Sequence, residues 1–366
     1  MPKRACEPVF SFVLLKKLTN SISVDISTVF MFLGFIFACY SVVGNDVIQT
    51  LGTFLTSNEH RPWWVLWMYA GSILAITLIL GYTGAGAFLG GNDVAFDRLD
   101  KIHIPETLSV WYVLPPIILL VITRLGIPVS TTFLILSFFS ISSFPGMLNK
   151  SLVGYALAFV VSVGVYLIIS QGVEKLFQQR PLDSDHTLWT RRSFWTGAQW
   201  LSTAFLWSQW LTQDLANIYI YLGNPEELGP GTFIFSLFII LGMLAYIFYQ
   251  KGGAIQNIVR AKTNTADIRS ATFIDLIYGL ILLVFKQDIL GMWDAKLPMS
   301  TTWVFLGLLA GRELAIRIKL GPKPDQKLSL MLFSDLGKAA LGLIISIALV
   351  LFLYLVEGRD TSMLFQ

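Results

Sequence analysis

The chain has 366 residues, 55% of them hydrophobic and only 13% charged, with a mean hydropathy of +0.67 and a formal net charge of +3. Soluble domains carry roughly a quarter charged residues, so the composition excludes a soluble enzyme or binding domain and points to a polytopic helical membrane protein. The small positive charge gives no argument for a nucleic-acid partner and matters only for topology.

Residues 1–25 mix Lys3, Arg4, Lys16 and Lys17 with one apolar run, Val9–Leu15. That run is too short to cross a bilayer, which takes about 20 residues. No small-residue cleavage site comes after it, so an amphipathic surface helix is expected rather than a signal peptide. By the same length rule, the rest of the chain holds on the order of ten apolar segments. The first runs from Ile26 to Leu55 and is interrupted by Gly44-Asn45-Asp46-Val47-Ile48-Gln49. A carboxylate and two amides in mid-span cost several kcal/mol unless they face a cavity or partners. Trp63, Trp64 and Trp67 mark an interface and open a second span, to about Phe88. Gly91-Asn92-Asp93-Val94 then repeats the tetrapeptide Gly-Asn-Asp-Val. The charges behind it (Asp97, Arg98, Asp100, Lys101) place this copy at a membrane surface, as a helix end without a functional role. A third span, about Val110–Ile122, leads through Arg124 to Ile127-Pro128-Val129-Ser130-Thr131-Thr132, and a fourth covers about Leu152–Ile169.

Residues 174–193 are polar and carry Pro181, Asp183, Asp185 and Arg191-Arg192, a natural boundary. They separate a first repeat, 26–173, from a second, 194–366. The second half holds Thr212-Gln213-Asp214-Leu215-Ala216-Asn217 in its first span, then a polar turn at Glu226-Glu227 and a span from Phe233 to Tyr249. Gly252-Gly253 parallels Gly90-Gly91 and precedes the basic loop Arg260, Lys262 and Arg269. The span Phe273–Phe285, Asp294, Lys296 and Leu297-Pro298-Met299-Ser300-Thr301-Thr302 come next, and a basic loop and the span Ala339–Leu355 close the chain. Asp214 lies 168 positions after Asp46 and Ser300 lies 170 after Ser130, so the order and spacing of motifs imply duplication. The few loop charges favour inverted halves. Tryptophans 195, 200, 207 and 210 read as lipid-facing or interfacial, and Arg124 and Lys296 as cations reaching the interface.

Each hydroxyl triplet stands behind a proline and begins an apolar run. Proline suits the first turn of a helix, and Ser or Thr suits its cap. Each copy therefore reads as a helix that starts inside apolar surroundings, with N–H groups and hydroxyls available to an anion. Cys6 and Cys39 have no metal-ligand spacing and make a poor disulfide pair. His60, His103 and His186 lie in polar loops, so no histidine is expected in mid-membrane as a metal ligand or base. The hydroxyls also lack a Gly-x-Ser-x-Gly setting, which argues against an enzyme.

Pro128-Val129-Ser130-Thr131-Thr132 and Pro298-Met299-Ser300-Thr301-Thr302, with an Asp-containing motif ahead of each, resemble the inorganic phosphate transporter (PiT) family of cation-coupled symporters. The family patterns are Gly-Ala-Asn-Asp-Val-Ala-Asn and Pro-Val-Ser-Thr-Thr-His, once per half. This chain is a divergent match: Phe133 and Trp303 replace both histidines, Gln49 replaces an asparagine, and Gln213 replaces the asparagine before the second aspartate. The resemblance implies an all-α polytopic membrane protein with two inverted repeats, each with a broken or hairpin helix carrying Pro-x-Ser-Thr-Thr. It implies a multi-pass protein of a cell or inner membrane, and a homodimer. Phosphate would be bound by Ser130, Thr131, Thr132, Ser300, Thr301 and Thr302 with Asp46 and Asp214. Na⁺ would be bound by Asn45, Asp46, Gln49, Gln213, Asp214 and Asn217, whose oxygens suit a hard cation. Two carboxylates beside an oxyanion repel it, and the motif spans supply no lysine or arginine, so a cation must enter with the anion. H⁺ is the competing coupling ion and sulfate the competing substrate; a passive anion channel or a transport-inactive sensor is the rival from another class.

Overall fold

The computed structural model describes residues 25–125, 129–169, 181–184, 187–251, 268–289, 291, 293–320 and 327–357. The N-terminal segment up to residue 24, Ile127-Pro128 of the first hydroxyl motif, most of the polar linker, Gly252-Gly253, Arg260, Lys262 and Lys323 lie outside the described residues. The described residues form helices and turns, with no strand among them.

Helix α1 (Ile26–Val42) is capped by Asp25, whose carboxylate accepts from the Ser27 N–H. It runs into one π-helical turn, Val43–Val47, and continues as α2 (Ile48–Ser57). Helix α3 (Trp63–Tyr82) starts after Pro62 and ends before the glycine-rich stretch, so the second span is shorter than its apolar run suggests. A 3-10 turn, Val110–Val113, leads to α4 (Leu114–Arg124). Helix α5 (Thr131–Phe139) has only nine residues, all buried. The next helix, α6 (Phe144–Ile169), begins at Phe144, ahead of the predicted start near Leu152. Helix α7 (Arg192–Asp214) stops at Asp214, the chain breaks its helix at Leu215, and α8 (Ala216–Tyr219) is one turn long. Then come α9 (Pro230–Tyr249), α10 (Ile268–Lys286), α11 (Thr301–Leu320) and α12 (Lys327–Glu357).

Five stretches among the described residues are long and apolar enough to cross a membrane: Ile26–Val47, Trp63–Tyr82, Ile141–Leu167, Pro230–Tyr249 and Ile268–Lys286. The protein is an integral, multi-pass membrane protein. Val110–Arg124 and Ala340–Phe352 are apolar but shorter. Two of the remaining helices differ for a physical reason. α5 is half a span, and α7 carries Gln199, Gln209, Gln213 and Asp214 on buried positions.

The helices pair consistently. α1 packs on α4 and α7 on α10; α6 packs on α11 and α12 on α5; α3 packs on α9. α6 and α11 approach one another backbone to backbone, since a Cβ at Gly307 would lie 2.4 Å from the Tyr155 carbonyl oxygen and one at Gly311 2.3 Å from that of Phe159. Small residues four apart allow this approach, which in a bilayer replaces the missing hydrophobic drive between helices. The tryptophans of α7 differ from expectation. Trp207 and Trp210 are fully buried and stacked at 4.8 Å, and Trp195 is buried too. The Trp207 indole N–H finds the Ala70 carbonyl in α3, which is what an indole needs in order to leave the interface. Arg269, expected in a basic loop, sits in the first turn of α10 and is buried.

Candidate functional site

Both aspartates lie at helix irregularities. Asn45 and Asp46 are inside the π turn, where the i→i−4 ladder is displaced; Asp214 is the last residue of α7, just before the break at Leu215. Such defects free backbone groups and aim side chains away from the regular helix face, and they recur at functional sites.

The two hydroxyl motifs share one local design. The Ser130 hydroxyl accepts from the Phe133 N–H at 3.2 Å, and the Ser300 hydroxyl accepts from the Trp303 N–H at 3.3 Å. Each serine is the N-cap of its helix, so the residues after it present N–H groups with no carbonyl one turn back. The Ser300 N–H itself donates to the Ser151 hydroxyl of α6 at 2.8 Å. The two capped helices differ in length: α5 stops after nine residues, whereas α11 continues for twenty.

The irregular helices and the caps meet. The Thr131 hydroxyl donates to Asp46 Oδ2 at 2.6 Å, and Asn217 Nδ2 donates to the Thr131 oxygen at 3.1 Å and to Asp214 Oδ1 at 2.9 Å. A chain of hydrogen bonds thus joins the two carboxylates through one hydroxyl and one amide. The Thr132 hydroxyl lies 3.4 Å from Asp214 Oδ1, Thr302 lies beside Asp46, and Thr301 lies beside Asp214. Asn45 Nδ2 donates to Asp46 Oδ1 at 2.7 Å and to the Val129 carbonyl at 2.8 Å, while Asn45 Oδ1 accepts from Gln49 Nε2 at 3.3 Å. Gln213 is buried in α7 next to Asp214, and neither its side-chain oxygen nor its side-chain nitrogen has a hydrogen-bond partner. Every one of these side chains is at most 5% exposed, so the cluster is closed to solvent.

Four buried oxygens here lack a donor: Gln49 Oε1, Gln213 Oε1, Asn217 Oδ1 and Asp214 Oδ2. Buried oxygens are normally satisfied, and a group of unsatisfied ones signals a ligand site. Three amide oxygens and a carboxylate oxygen fit a hard cation such as Na⁺. Asn45 Oδ1 accepts one bond, from Gln49, and keeps a second lone pair, while its amide orients Asp46. Trp303, in place of the family histidine, packs edge-on against Phe133 at 5.7 Å and has an unpartnered indole N–H.

Two expectations from the sequence do not hold. The second Gly-Asn-Asp-Val copy is not a surface helix end: it folds as tight turns, with Asp93 and Arg98 both buried. The Asp93 carboxylate accepts from the N–H groups of Ala95 at 2.5 Å and Asp97 at 3.3 Å, which curls the segment inward. The motif spans themselves hold no lysine or arginine, but one from outside them comes close. Arg98 Nε donates to the Thr212 carbonyl at 3.3 Å, two residues before Asp214, and its charge acts on that aspartate. The tetrapeptide repeat is the sequence signal for this segment, and its flanking charges, typical of a surface loop, mask it. A further acid, Asp275 in the middle of α10, is fully buried and accepts from the hydroxyls of Thr53 at 2.5 Å and Thr203 at 2.6 Å. Its sequence signal is an acid inside an apolar run. His60 and His103 are exposed, and Lys296 does not simply extend to the interface, since it pairs with Asp100 and, at 3.8 Å, with Asp97.

No family model and no curated protein sequence matches the chain. One solved structure that does match in fold is described as "The sodium-dependent phosphate transporter": it aligns with a TM-score of 0.59 over 89% of this chain and 96% of that one, at 16% sequence identity. The two chains share a fold over nearly their full length.

Proposed function

We propose that this protein is a secondary active transporter that moves inorganic phosphate across the membrane together with Na⁺. The observation that carries the reading is the closed cluster in which two Ser-Thr-Thr helix starts meet two aspartates and four unpartnered oxygens. The fold match to a sodium-dependent phosphate transporter supports it. The matching helix contacts of the two halves support a duplicated fold with the site at the repeat interface, and inversion of one half against the other rests on the loop charges.

The mechanism rests on charge. Hydroxyls and free N–H groups of the two motifs suit a tetrahedral oxyanion, and each helix start adds about half a positive charge. Asp46 and Asp214 oppose it: like charges 4 Å apart repel by roughly 4 kcal/mol even at an effective dielectric constant of 20. Na⁺ held by Gln49, Gln213, Asp214 and Asn217 relieves that repulsion, while Arg98 offsets part of the charge on Asp214. Cation and anion then favour one another's binding, and by linkage the effect is mutual. Asp46 and Asp214 can also accept from the protonated oxygen of phosphate, which sulfate lacks. The closed cluster represents one stage of alternating access, and the short α5 and the two helix breaks are the elements able to rearrange.

The test is uptake of labelled phosphate into proteoliposomes under imposed Na⁺, K⁺ or H⁺ gradients, with sulfate as competitor. Concentrative uptake driven by Na⁺ and resistant to sulfate is the expected result. Uptake indifferent to every cation gradient, without trans-stimulation, would make the protein a passive channel.

A further inference from the structure

Among the buried basic side chains, Arg98 in the turn segment, Lys150 in α6 and Lys286 at the end of α10 form one group, each at most 3% exposed. They are close enough that Arg98 repels both lysines. Lys150 is satisfied, since its ammonium donates to the carbonyls of Asp294, Ala295 and Leu297 at 2.8, 3.3 and 2.7 Å. The other two are satisfied less fully. Arg98 bonds through Nε alone to Thr212, and among the described residues its Nη2 and Lys286 Nζ have no hydrogen-bond partner; the Phe96 ring lies 5.8 Å from the Lys286 ammonium. Gly90, at a φ of 93°, leaves room for the lysine, because a Cβ there would lie 2.6 Å from Lys286 Cε.

Asp97, Asp214 and Asp294 act on the Arg98 charge from nearby, but none of them hydrogen-bonds to Arg98 Nη2 or Lys286 Nζ. Lys296 takes Asp97 and Asp100, and Lys101 lies 3.6 Å from Asp294. Asp93 is engaged with backbone N–H groups. A buried cation without a partner costs several kcal/mol, and a guanidinium cannot escape by losing its proton. Arg98 Nη2 and Lys286 Nζ are thus two buried donors of one sign without an acceptor, both next to the Phe96–Arg98 turn, and an oxyanion is the ligand that suits them.

We propose that Arg98 and Lys286 form a second oxyanion site, set between the exposed Lys296–Asp100 pair and the hydroxyl cluster, where the transported anion stops on its way to or from the centre. The inference rests on the proposed transport of an oxyanion. Its place is fixed by its neighbours: Arg98 reaches back to Thr212 near Asp214, and Lys150 adjoins Ser151, which holds the Ser300 N–H. A tetrahedral oxyanion can take one N–H from each basic group and leave its other oxygens free for transfer inward.

Equilibrium binding of labelled inorganic phosphate to the purified full chain in Na⁺ tests it. Wild type is expected to bind two phosphates per chain. Lys286→Met and Arg98→Gln should each bind one, Lys286→Arg two, and the central variant Thr131→Val/Thr301→Val one. If Lys286→Met binds as much as wild type, the second site does not exist, whatever the central variant does. If Lys286→Met loses a phosphate while the central variant loses none, the second site stands and the proposed central site falls. Absence of any bound phosphate removes both. Should the basic-site variants not fold, anomalous scattering from arsenate in wild-type crystals decides the matter: a peak between Arg98 and Lys286 is expected, and a peak confined to the hydroxyl cluster overturns the inference.

Discussion

Thr132 and Thr302 hold one another's motif in place. The Thr132 hydroxyl donates to the Met299 carbonyl at 3.2 Å, and the Thr302 hydroxyl donates to the Val129 carbonyl at 3.2 Å. The third hydroxyl of each motif thus reaches the residue just before the serine of the other, and the two contacts are counterparts under the 170-residue offset. The exchange locks the two helix starts together and fixes the spacing of their hydroxyl and N–H donors. Thr132→Val and Thr302→Val should therefore behave alike. Each is expected to lower stability by about 1 kcal/mol, as hydrogen bonds between membrane helices do, and to reduce phosphate uptake. Thermal melting in detergent and initial uptake rates would check this. A silent change at one threonine and a severe one at the other would show that the two motifs are not equivalent.

Asp46 is held by Thr131 and Asn45 and has no cation of its own, whereas Asp214 has Arg98 nearby. On the proposed coupling, neutralising Asp46 removes one of the two charges that call for an accompanying cation. Asp46→Asn should insert and fold but fail to accumulate phosphate against a gradient. Asp214→Asn should do the same and, in addition, leave Arg98 with less compensation, so it should be the less stable of the two. Normal accumulation by Asp46→Asn would remove that residue from the coupling site.

The unpartnered oxygens give a sharper test of the cation. Gln49→Leu and Asn217→Leu each remove one of these oxygens, together with an amide nitrogen that donates to Asn45 in the first case and to Thr131 and Asp214 in the second. Loss of one ligand is expected to raise the Na⁺ concentration for half-maximal uptake about tenfold, equivalent to about 1.4 kcal/mol, with a smaller effect on the apparent affinity for phosphate at saturating Na⁺. Asn217→Leu should be the more damaging, because the Asn217 amide also links Thr131 to Asp214. Uptake measured over a Na⁺ titration separates these effects. An unchanged Na⁺ dependence in both variants would place the cation elsewhere.

The helical class, the paired motifs and the buried polar cluster are legible in the sequence because each is a local pattern: a hydroxyl triplet behind a proline, or an acid and amides inside an apolar run. The features that escape it depend on tertiary placement. Arg98 stands just behind a repeated tetrapeptide, but whether a charged loop lies on the surface or folds inward is decided by Asp93 capping its own turn and by Thr212 accepting the guanidinium. The tryptophans of α7 are hard to place for a similar reason, since only the packing against α3 shows that the Trp207 N–H has a carbonyl to bond. Gly307 and Gly311 are unremarkable until α6 is brought against them. The unequal lengths of α5 and α11 are also invisible, because both motifs begin with the same cap and differ only in where the helix behind it stops.

Asp275 supplies the control for the other two acids. It is buried as deeply as Asp46 and Asp214, yet its carboxylate is satisfied by two hydroxyls from other helices, Thr53 in α2 and Thr203 in α7. Both its oxygens are partnered, and neither bonds to the hydroxyl motifs, so its physical role is to tie α10 to α2 and α7. Asp275→Asn can keep at least one of these bonds and should preserve Na⁺-driven uptake at a modest loss of stability. Thr203→Val leaves a buried carboxylate oxygen without its donor and should cost about 1–2 kcal/mol. Comparing melting and uptake for Asp275→Asn and Asp46→Asn distinguishes a structural acid from a coupling acid. If Asp275→Asn abolished accumulation while melting like wild type, the α10 acid would belong to the transport cycle and the cation path would extend between α2, α7 and α10.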